Sequence, residues 1–303
     1  MNEHPLEARF TVRTPIALLF GVLSAVLLPL ALVLAWVSAV GTQTDTFVHT
    51  VDPVVRTASV QQALATAVTN TALGRLNLPE RVRTVASGPV REGVTTALQS
   101  DQFARAWSAA VTSAHEQFAS MMARPTGSTP EGLVLRVRVP LDGLQSRLTG
   151  LGVTVPENFA PTVGVPVLSS AQLERIRPAY SFADRFGLWA PFVAVGLGVL
   201  AVAVAVLRLR ATAWLLSGWG IGLALLAATL SLARPLAVDA LVKAVDTSSV
   251  PMATVRAVAD AAYDAVATGI GQWALVGGIA VVVGLVVVLV LRGVSRRGQR
   301  AAY

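Results

Sequence analysis

The chain has 303 residues, of which 54% are hydrophobic and only 14% are charged, and its net charge is +7. Charged residues make up about a quarter of an ordinary soluble domain, so this composition, with a mean hydropathy of +0.63, excludes an ordinary soluble globular protein. The absence of cysteine excludes disulfides, thiolate nucleophiles and cysteine-based zinc sites.

Four stretches contain no charged residue: 15–41, 187–207, 211–233 and 271–291. A helix rises about 1.5 Å per residue and the hydrocarbon core of a bilayer is about 30 Å thick, so each stretch can cross it. The sequence therefore predicts a mainly α fold, a polytopic membrane protein with four transmembrane helices. It also predicts a helix-rich extracytoplasmic domain that contains a short two-stranded β element.

The segments between these stretches differ in charge. Segments 1–14, 208–210 and 292–303 are short and basic, and they contain Arg9, Arg13, Arg208, Arg210, Arg292, Arg296, Arg297 and Arg300. Because short basic segments mark the cytoplasmic side, we expect a multi-pass plasma-membrane protein with both termini in the cytoplasm and with 42–186 and 234–270 outside. Anionic lipid headgroups next to this basic face account for the net charge, and no nucleic-acid partner is predicted.

The first uncharged stretch follows a basic start, which also occurs in cleaved secretion signals. It is well beyond the roughly 7 to 15 residues of a signal core, so an uncleaved anchor is expected. Pro29 lies in its middle and predicts a kink.

Segment 42–186 opens with helical patterns. Asp52 followed by Pro53 is typical of a helix start. The apolar residues Val60, Leu64 and Val68 follow at helical spacing, and Gly74 is expected as the C-cap of this helix. Gly88 and Pro89 then predict a break or kink in a second pattern, formed by Val82, Val85, Val90, Val94 and Leu98.

The strongest helical pattern begins at Ser100 and Asp101 and ends before Pro125. One stripe of this helix contains Phe103, Trp107, Val111, Ala114, Phe118 and Met121. Residues 133–139 alternate with period two and predict a strand, and 163–167 predict its partner, in which Pro166 favours a sheet edge. Further helices are predicted over 171–186, 236–246 and 250–270.

The four uncharged stretches lack the ionisable groups that pumps, proton-coupled carriers and voltage sensors place at membrane depth. Small residues recur there at helical spacing: Ala194, Gly198, Ala201, Ala205, Gly218, Gly222, Gly277, Ala280 and Gly284. This spacing predicts a closely packed helix bundle, with a homodimer interface as the alternative. Trp219 is expected to pack against a neighbouring helix, whereas interfacial belts are predicted for Trp36, Trp189, Trp214 and Trp273.

Several short motifs of this chain resemble those of an actinobacterial group of four-span membrane proteins that have a large extracytoplasmic domain between spans 1 and 2. They are residues 44–48 (TDTFV), Asp52-Pro53, Phe103 with Trp107, and His115. The paired strands and the three clustered C-terminal spans are also similar to that group. The resemblance implies this architecture and leaves the activity open.

Histidine-based catalysis outside the cytoplasm would require His49 or His115, and neither lies in a known catalytic motif. His115 lies at the border of the apolar stripe, which favours a structural or interface role. Asp45, His49 and Asp52 have a spacing that would align them on a continuous helix as a metal site, but Asp52 before Pro53 favours capping. No catalytic, cofactor-binding or metal-binding residue and no cofactor is therefore predicted.

Two sets of charged residues have alternative interpretations. Arg136 and Arg138 are expected on one face of the first strand, and the same domain also contains Arg81, Arg83 and Arg91. This set is suited to an anionic polymer or a lipid headgroup, and the alternative is a solvated strand face. An exposed ion-pair ladder along one helix is predicted for Arg256, Asp260 and Asp264.

The functional hypothesis is a non-enzymatic membrane protein whose extracytoplasmic domain binds or positions a partner in the cell envelope. The partner is a protein, a lipid or a polymer. The alternative is a permease-like subunit that couples a cytoplasmic ATPase to the extracytoplasmic domain, since one span, a large domain and three spans occur in that order there. A channel is disfavoured because no ring of polar side chains is found in the spans.

Overall fold

The computed structural model describes residues 5–75, 80–124, 132–138, 162–244 and 252–300. Two strands lie in this part, β1 (Leu133–Arg138) and β2 (Thr162–Leu168). The helices are α1 (Pro5–Thr42), α2 (Thr44–Arg56), α3 (Ala58–Arg75), α4 (Glu80–Leu98), α5 (Asp101–Ala123), α6 (Ser170–Phe186), α7 (Ala190–Val204), α8 (Arg208–Ala244) and α9 (Met252–Arg300).

Three helical segments in the described part are long and apolar enough to cross a membrane: Thr14–Thr42, Arg208–Lys243 and Met252–Val290. A fourth is present if the bent pair of α6 and α7 is counted as one span. The protein thus has the helices of a multi-pass membrane protein.

The second predicted span, 187–207, is not one helix. α7 has 15 residues and is about 22 Å long, which is shorter than the hydrocarbon core. α6 precedes it at an angle of 55°. Each break has a backbone hydrogen bond, because Gly187 donates to Ala183 O and Ala205 donates to Ala201 O. Each bond removes the cost of one unpaired backbone N–H group near lipid.

The chain divides into two compact units. The first unit contains 1–39, 182–233 and 267–303, and the second unit contains 40–181 and 234–266. The second unit includes most of the two segments for which an extracytoplasmic location is predicted, and that location stays a prediction.

The first unit has two apolar clusters. One joins α8 and α9 through Leu216, Leu223, Val281 and Val288. The other joins α1 and α7 through Leu28, Ala31 and Ala194. Helices of this unit approach closely at small residues, as the sequence predicts, since Gly218 lies against Ala25 and Gly284 against Leu216. Ala280 differs and is exposed.

Tryptophans of the first unit follow the predictions in part. Trp219 contacts α1 and α7, as expected. Trp189, Trp214 and Trp273 are exposed, but Trp36 is only 6% exposed because its ring packs against Gly269 of α9. Trp36 is more buried than expected, since the glycine on α9 provides space that the local sequence around Trp36 does not reveal; the interfacial location of these tryptophans stays a prediction.

The core of the second unit is formed by α2 to α5. Its fully buried residues lie on all four helices and include Val55, Val68, Val90, Val94 and Phe103. α5 begins as predicted, since the Ser100 side chain accepts a hydrogen bond from the backbone N–H of Phe103 at 3.1 Å. A smaller cluster joins Val54 and Val60 to Ala261 of α9.

One proline-based prediction in this unit is wrong, and another is wrong in part. Asp52 and Pro53 do not begin a helix, because α2 runs through them to Arg56. Gly88 and Pro89 do not break α4, and the kink that was the alternative stays a prediction. Proline in a helix interior costs about 3 kcal/mol, and burial of a Val or Leu side chain gives about 1.5–3 kcal/mol. α2 buries Val54 and Val55 directly after its proline, and α4 buries the residues Ala86, Val90, Val94 and Leu98.

The strands and the last two helices complete the described part. β1 pairs antiparallel with β2, and Pro166 lies opposite Val134 next to an irregularity in the register. The separate helices predicted over 236–246 and 250–270 are instead continuous with the spans, in α8 and α9 respectively. Pro235 lies inside α8 without ending it.

Candidate functional site

His115 has the most defined environment among the residues considered for chemistry. It lies on α5 in the second unit and is 2% exposed. Its Nδ1 atom lies 3.1 Å from Thr44 Oγ1, and its Nε2 atom lies 3.2 Å from the carbonyl oxygen of Val40. The imidazole therefore joins α5 to the junction between α1 and α2.

The acceptor at Val40 fixes the roles of the two ring nitrogens. A carbonyl oxygen only accepts, so Nε2–H donates to it, and in the neutral ring Nδ1 then accepts from the Thr44 hydroxyl. Val40 is among the last four residues of α1, whose carbonyls lack helical donors. His115 thus satisfies a carbonyl that the end of the helix leaves open.

Aromatic side chains surround the same imidazole. Phe47 of α2 stacks on it with a centroid distance of 4.5 Å. Phe118 lies on the other side and meets Tyr180 of α6 edge to face at 5.6 Å. Both nitrogens and one ring face of His115 are in contact with the protein, an arrangement that favours the structural role over general acid–base chemistry.

The metal hypothesis concerned Asp45, His49 and Asp52, and the argument against it was that Asp52 caps a helix. Asp45, His49 and Asp52 do lie on one continuous helix, α2. Asp45 and His49 are exposed, and one carboxylate oxygen of Asp52 is buried without a partner among the described atoms. No group of three metal-ligating side chains is found in the described residues.

Charged side chains elsewhere in the second unit hold its helices together. Arg177 of α6 donates through Nη1 to the carbonyl oxygens of Met122 and Arg124 at the C-terminal end of α5. It also pairs with Glu174 at 3.4 Å. Arginine at a helix C-terminus both satisfies open carbonyls and opposes the helix dipole.

The predicted ion-pair ladder along α9 is wrong, because the pairs connect α9 to α8. Arg256 bonds Asp239 of α8 at 3.0 Å. Arg234 of α8 contacts Asp264 at 2.9 Å and Asp260 at 3.5 Å. The local spacing of the three α9 residues could not reveal partners on another helix. All these side chains are exposed, so each pair contributes about 0–1 kcal/mol.

Three of the five arginines considered for an anion site, Arg81, Arg83 and Arg91, have side chains that the structure describes, and they do not all lie on one side of α4. On α4, at about 100° per residue, Arg83 lies on the side of the buried Val90 and is half-buried, whereas Arg81 and Arg91 are exposed. The side chains of Arg136 and Arg138 lie outside those that the structure describes.

The exposed side of α4 has several features suited to contact with another molecule. Val85 is 68% exposed, although the sequence places it in an apolar stripe. Gly88 has no atom within 4 Å of an added Cβ, so the backbone is open there. Pro89 has no N–H, and the carbonyl of Val85 therefore lacks its helical donor. We refer to Arg81, Val85, Gly88 and Arg91 as the α4 face.

This face could be recognised in the sequence only in part. The Gly88-Pro89 pair is visible in the sequence, but it predicts a break in the helix. Its exposure could not be predicted, because it depends on which residues of α4 are buried. The buried residue at this point of α4 is Ala86 and not Val85, so the Val85 side chain faces outward. The chain matches no family model, and it is similar to none of the curated proteins or solved structures with which it was compared.

Proposed function

We propose that this chain is a four-span, non-enzymatic plasma-membrane protein with both termini in the cytoplasm. Its second unit, including the β1–β2 pair, lies outside the cytoplasm and binds or positions a partner of the cell envelope through the α4 face. The resemblance to the actinobacterial four-span group fits this proposal and adds no activity to it.

The observation that carries the proposal is the exposure of the α4 face. A valine side chain, an open glycine and a backbone acceptor are adjacent there, with Arg81 and Arg91 nearby. An exposed glycine and a proline both weaken a helix, and the packing of the opposite side maintains it. A partner strand, helix or polymer could contact the backbone here more closely than at a helix covered by longer side chains.

Other groups of the second unit support a binding role over a catalytic one. His115 uses both ring nitrogens in contacts within the unit, and Arg177 caps α5. These groups hold helices in place. Partner binding requires only an accessible, shaped surface, and the α4 face provides one.

The location of the second unit can be tested first, since the chain has no cysteine of its own. We expect a membrane-impermeant maleimide to label Ala109→Cys, at an exposed position of α5, in intact cells. Arg208→Cys, at the start of α8, should be labelled only after the membrane is opened. Labelling of both variants or of neither in intact cells would contradict the proposed orientation.

Photocrosslinking in native membranes tests the partner. A photoreactive residue at Val85 is expected to give a discrete adduct, and the same residue at exposed Ala109 is the matched control. Arg81→Glu with Arg91→Glu should weaken the adduct, while Arg105→Glu on α5 should not. Absence of a position-specific adduct would overturn the α4 face. Copurification of an ATPase with the chain, lost on altering Arg208 and Arg210, would favour the permease-like alternative.

A further inference from the structure

The first unit contains a groove of about 670 Å³ between α1 and α8, beside the end of α7. Its volume lies within the range of roughly 300–1,000 Å³ that is usual for ligand sites. Small residues of α1 line it at four-residue spacing, namely Ala17, Gly21 and Ala25. Larger exposed side chains, among them Leu18 and Trp214, stand along its sides.

The length of the groove corresponds to one leaflet. On α1 its lining runs from Thr14 to Ala25, and on α8 from Arg210 to Ile221. At about 1.5 Å per residue each wall is roughly 16 Å long, about half of the 30 Å hydrocarbon core. Both walls begin at the same end of the groove, so one end is polar and the other lies near the middle of a bilayer.

The polar end carries a positive charge. Arg210 is exposed, and none of the described ion pairs involves it. It lies in the first turn of α8, whose helix dipole also favours an anion at that end. Trp214, 70% exposed and one turn further along, is suited to the boundary between headgroups and acyl chains.

We propose that this groove binds an anionic phospholipid. One acyl chain lies along Ala17, Gly21 and Ala25, and the phosphate is held by the guanidinium of Arg210, which can donate two parallel hydrogen bonds to phosphate oxygens. Charge complementarity at the polar end distinguishes this occupant from a second copy of the chain, which would meet Arg210 with its own positive charge. The proposal does not depend on which side of the membrane the polar end faces.

A second apolar groove in the same unit serves as an internal comparison. It has a volume of about 340 Å³ and is lined by Leu30, Leu34, Phe186, Trp189 and Val193 among others, with no charged residue. Lipid that merely covers apolar surface would treat both grooves alike. A bound anionic phospholipid requires the charged end, which the second groove lacks.

The sequence contains a signal for this groove. Ala17, Gly21 and Ala25 recur every four residues in the first span, and Arg210 belongs to the basic turn that precedes the third. Their proximity depends on helices that are almost 200 residues apart in the chain, so neither feature indicates a site alone.

The test uses the full chain purified in detergent, with lipid retention measured by native mass spectrometry after addition of phosphatidylglycerol or phosphatidylcholine. The unchanged protein should retain phosphatidylglycerol preferentially. Arg210→Gln should retain about tenfold less, as expected for loss of a charge-assisted hydrogen bond, and Arg210→Lys should retain more than Arg210→Gln.

Steric filling provides a second variant that leaves the charge in place. Gly21→Leu places a side chain in the groove, where an added Cβ would lie 4.0 Å from Ala201 Cβ, an ordinary contact. Gly196→Leu on α7 adds the same bulk where nothing lies within 4 Å, outside the groove. Retention of phosphatidylglycerol should fall only in Gly21→Leu.

Equal retention of the two lipids by the unchanged protein would overturn the proposal. So would retention in Arg210→Gln and Gly21→Leu equal to that in Gly196→Leu. A dimer that is lost in Gly21→Leu, without preference for anionic lipid, would assign the groove to contact between two copies. These outcomes are independent of whether the α4 face binds a partner.

Discussion

Replacement of Gly198 by alanine tests the packing of the first unit at its tightest point. An added Cβ at Gly198 would lie 2.8 Å from Trp219 Cζ2, 2.9 Å from Leu215 Cδ2 and 2.9 Å from Ser24 Oγ. Leu215 can adjust, but the indole cannot readily do so, because Trp219 Nε1 donates to Ser24 Oγ at 3.1 Å. Ser24 in turn donates to the Ala194 carbonyl at 2.6 Å.

The magnitude follows from the opposition of two terms. Overpacking by a methyl group costs about 1–3 kcal/mol, and alanine is favoured over glycine in a helix by about 0.5–1 kcal/mol. Gly198→Ala is therefore expected to lower the free energy of unfolding by about 1 kcal/mol, the difference between the middles of these two ranges. Gly196→Ala, two residues away with nothing within 4 Å, keeps only the second term and should raise it slightly.

The assay is SDS titration of the purified protein, followed by far-UV circular dichroism, which gives a free energy of unfolding for each variant. The two substitutions are the same chemical change on the same helix, so detergent and helix propensity cancel in the comparison. Equal effects of both, or a Gly198→Ala variant as stable as the unchanged protein, would refute the close approach of α1, α7 and α8.

Two more substitutions test polar contacts. Ser24→Ala leaves Trp219 Nε1 without its acceptor and should cost about 0.6–1.7 kcal/mol in the same titration, whereas exposed Ser231→Ala should cost less; equal costs would contradict the contact. His115→Ala removes two hydrogen bonds and a stacked ring and should lower the free energy of unfolding by about 2–4 kcal/mol. Exposed His49→Ala should change it by less than about 0.5 kcal/mol, and a similar loss in both histidine variants would remove the structural role of His115.

Helices that depend on local signals were predictable from the sequence. α5 has a serine cap, an apolar stripe and no interior proline, so local preference and burial agree. The strand patterns and β1 and β2 also occupy nearly the same residues. Gly218 and Gly284 lie at helix contacts, because small residues are what close approach requires.

Features that depend on distant partners were not predictable. Pro53 and Pro89 are strong local breakers, and only the burial of neighbouring valines against other helices explains why α2 and α4 continue. Trp36 is buried because of a glycine more than 200 residues away. Arg256 has a suitable acidic residue four positions along its own helix, yet its partner lies on α8.

Catalysis requires a group that is both preorganised by neighbours and accessible to substrate. Among His115, Arg177, Arg81 and Arg210 these two properties fall on different residues. His115 and Arg177 are preorganised, but they are buried against helix ends. Arg81 and Arg210 are accessible, but the described ion pairs include no carboxylate held against either. An accessible guanidinium is suited to recognising an anion, and this is the physical basis of the binding roles proposed for the α4 face and the groove.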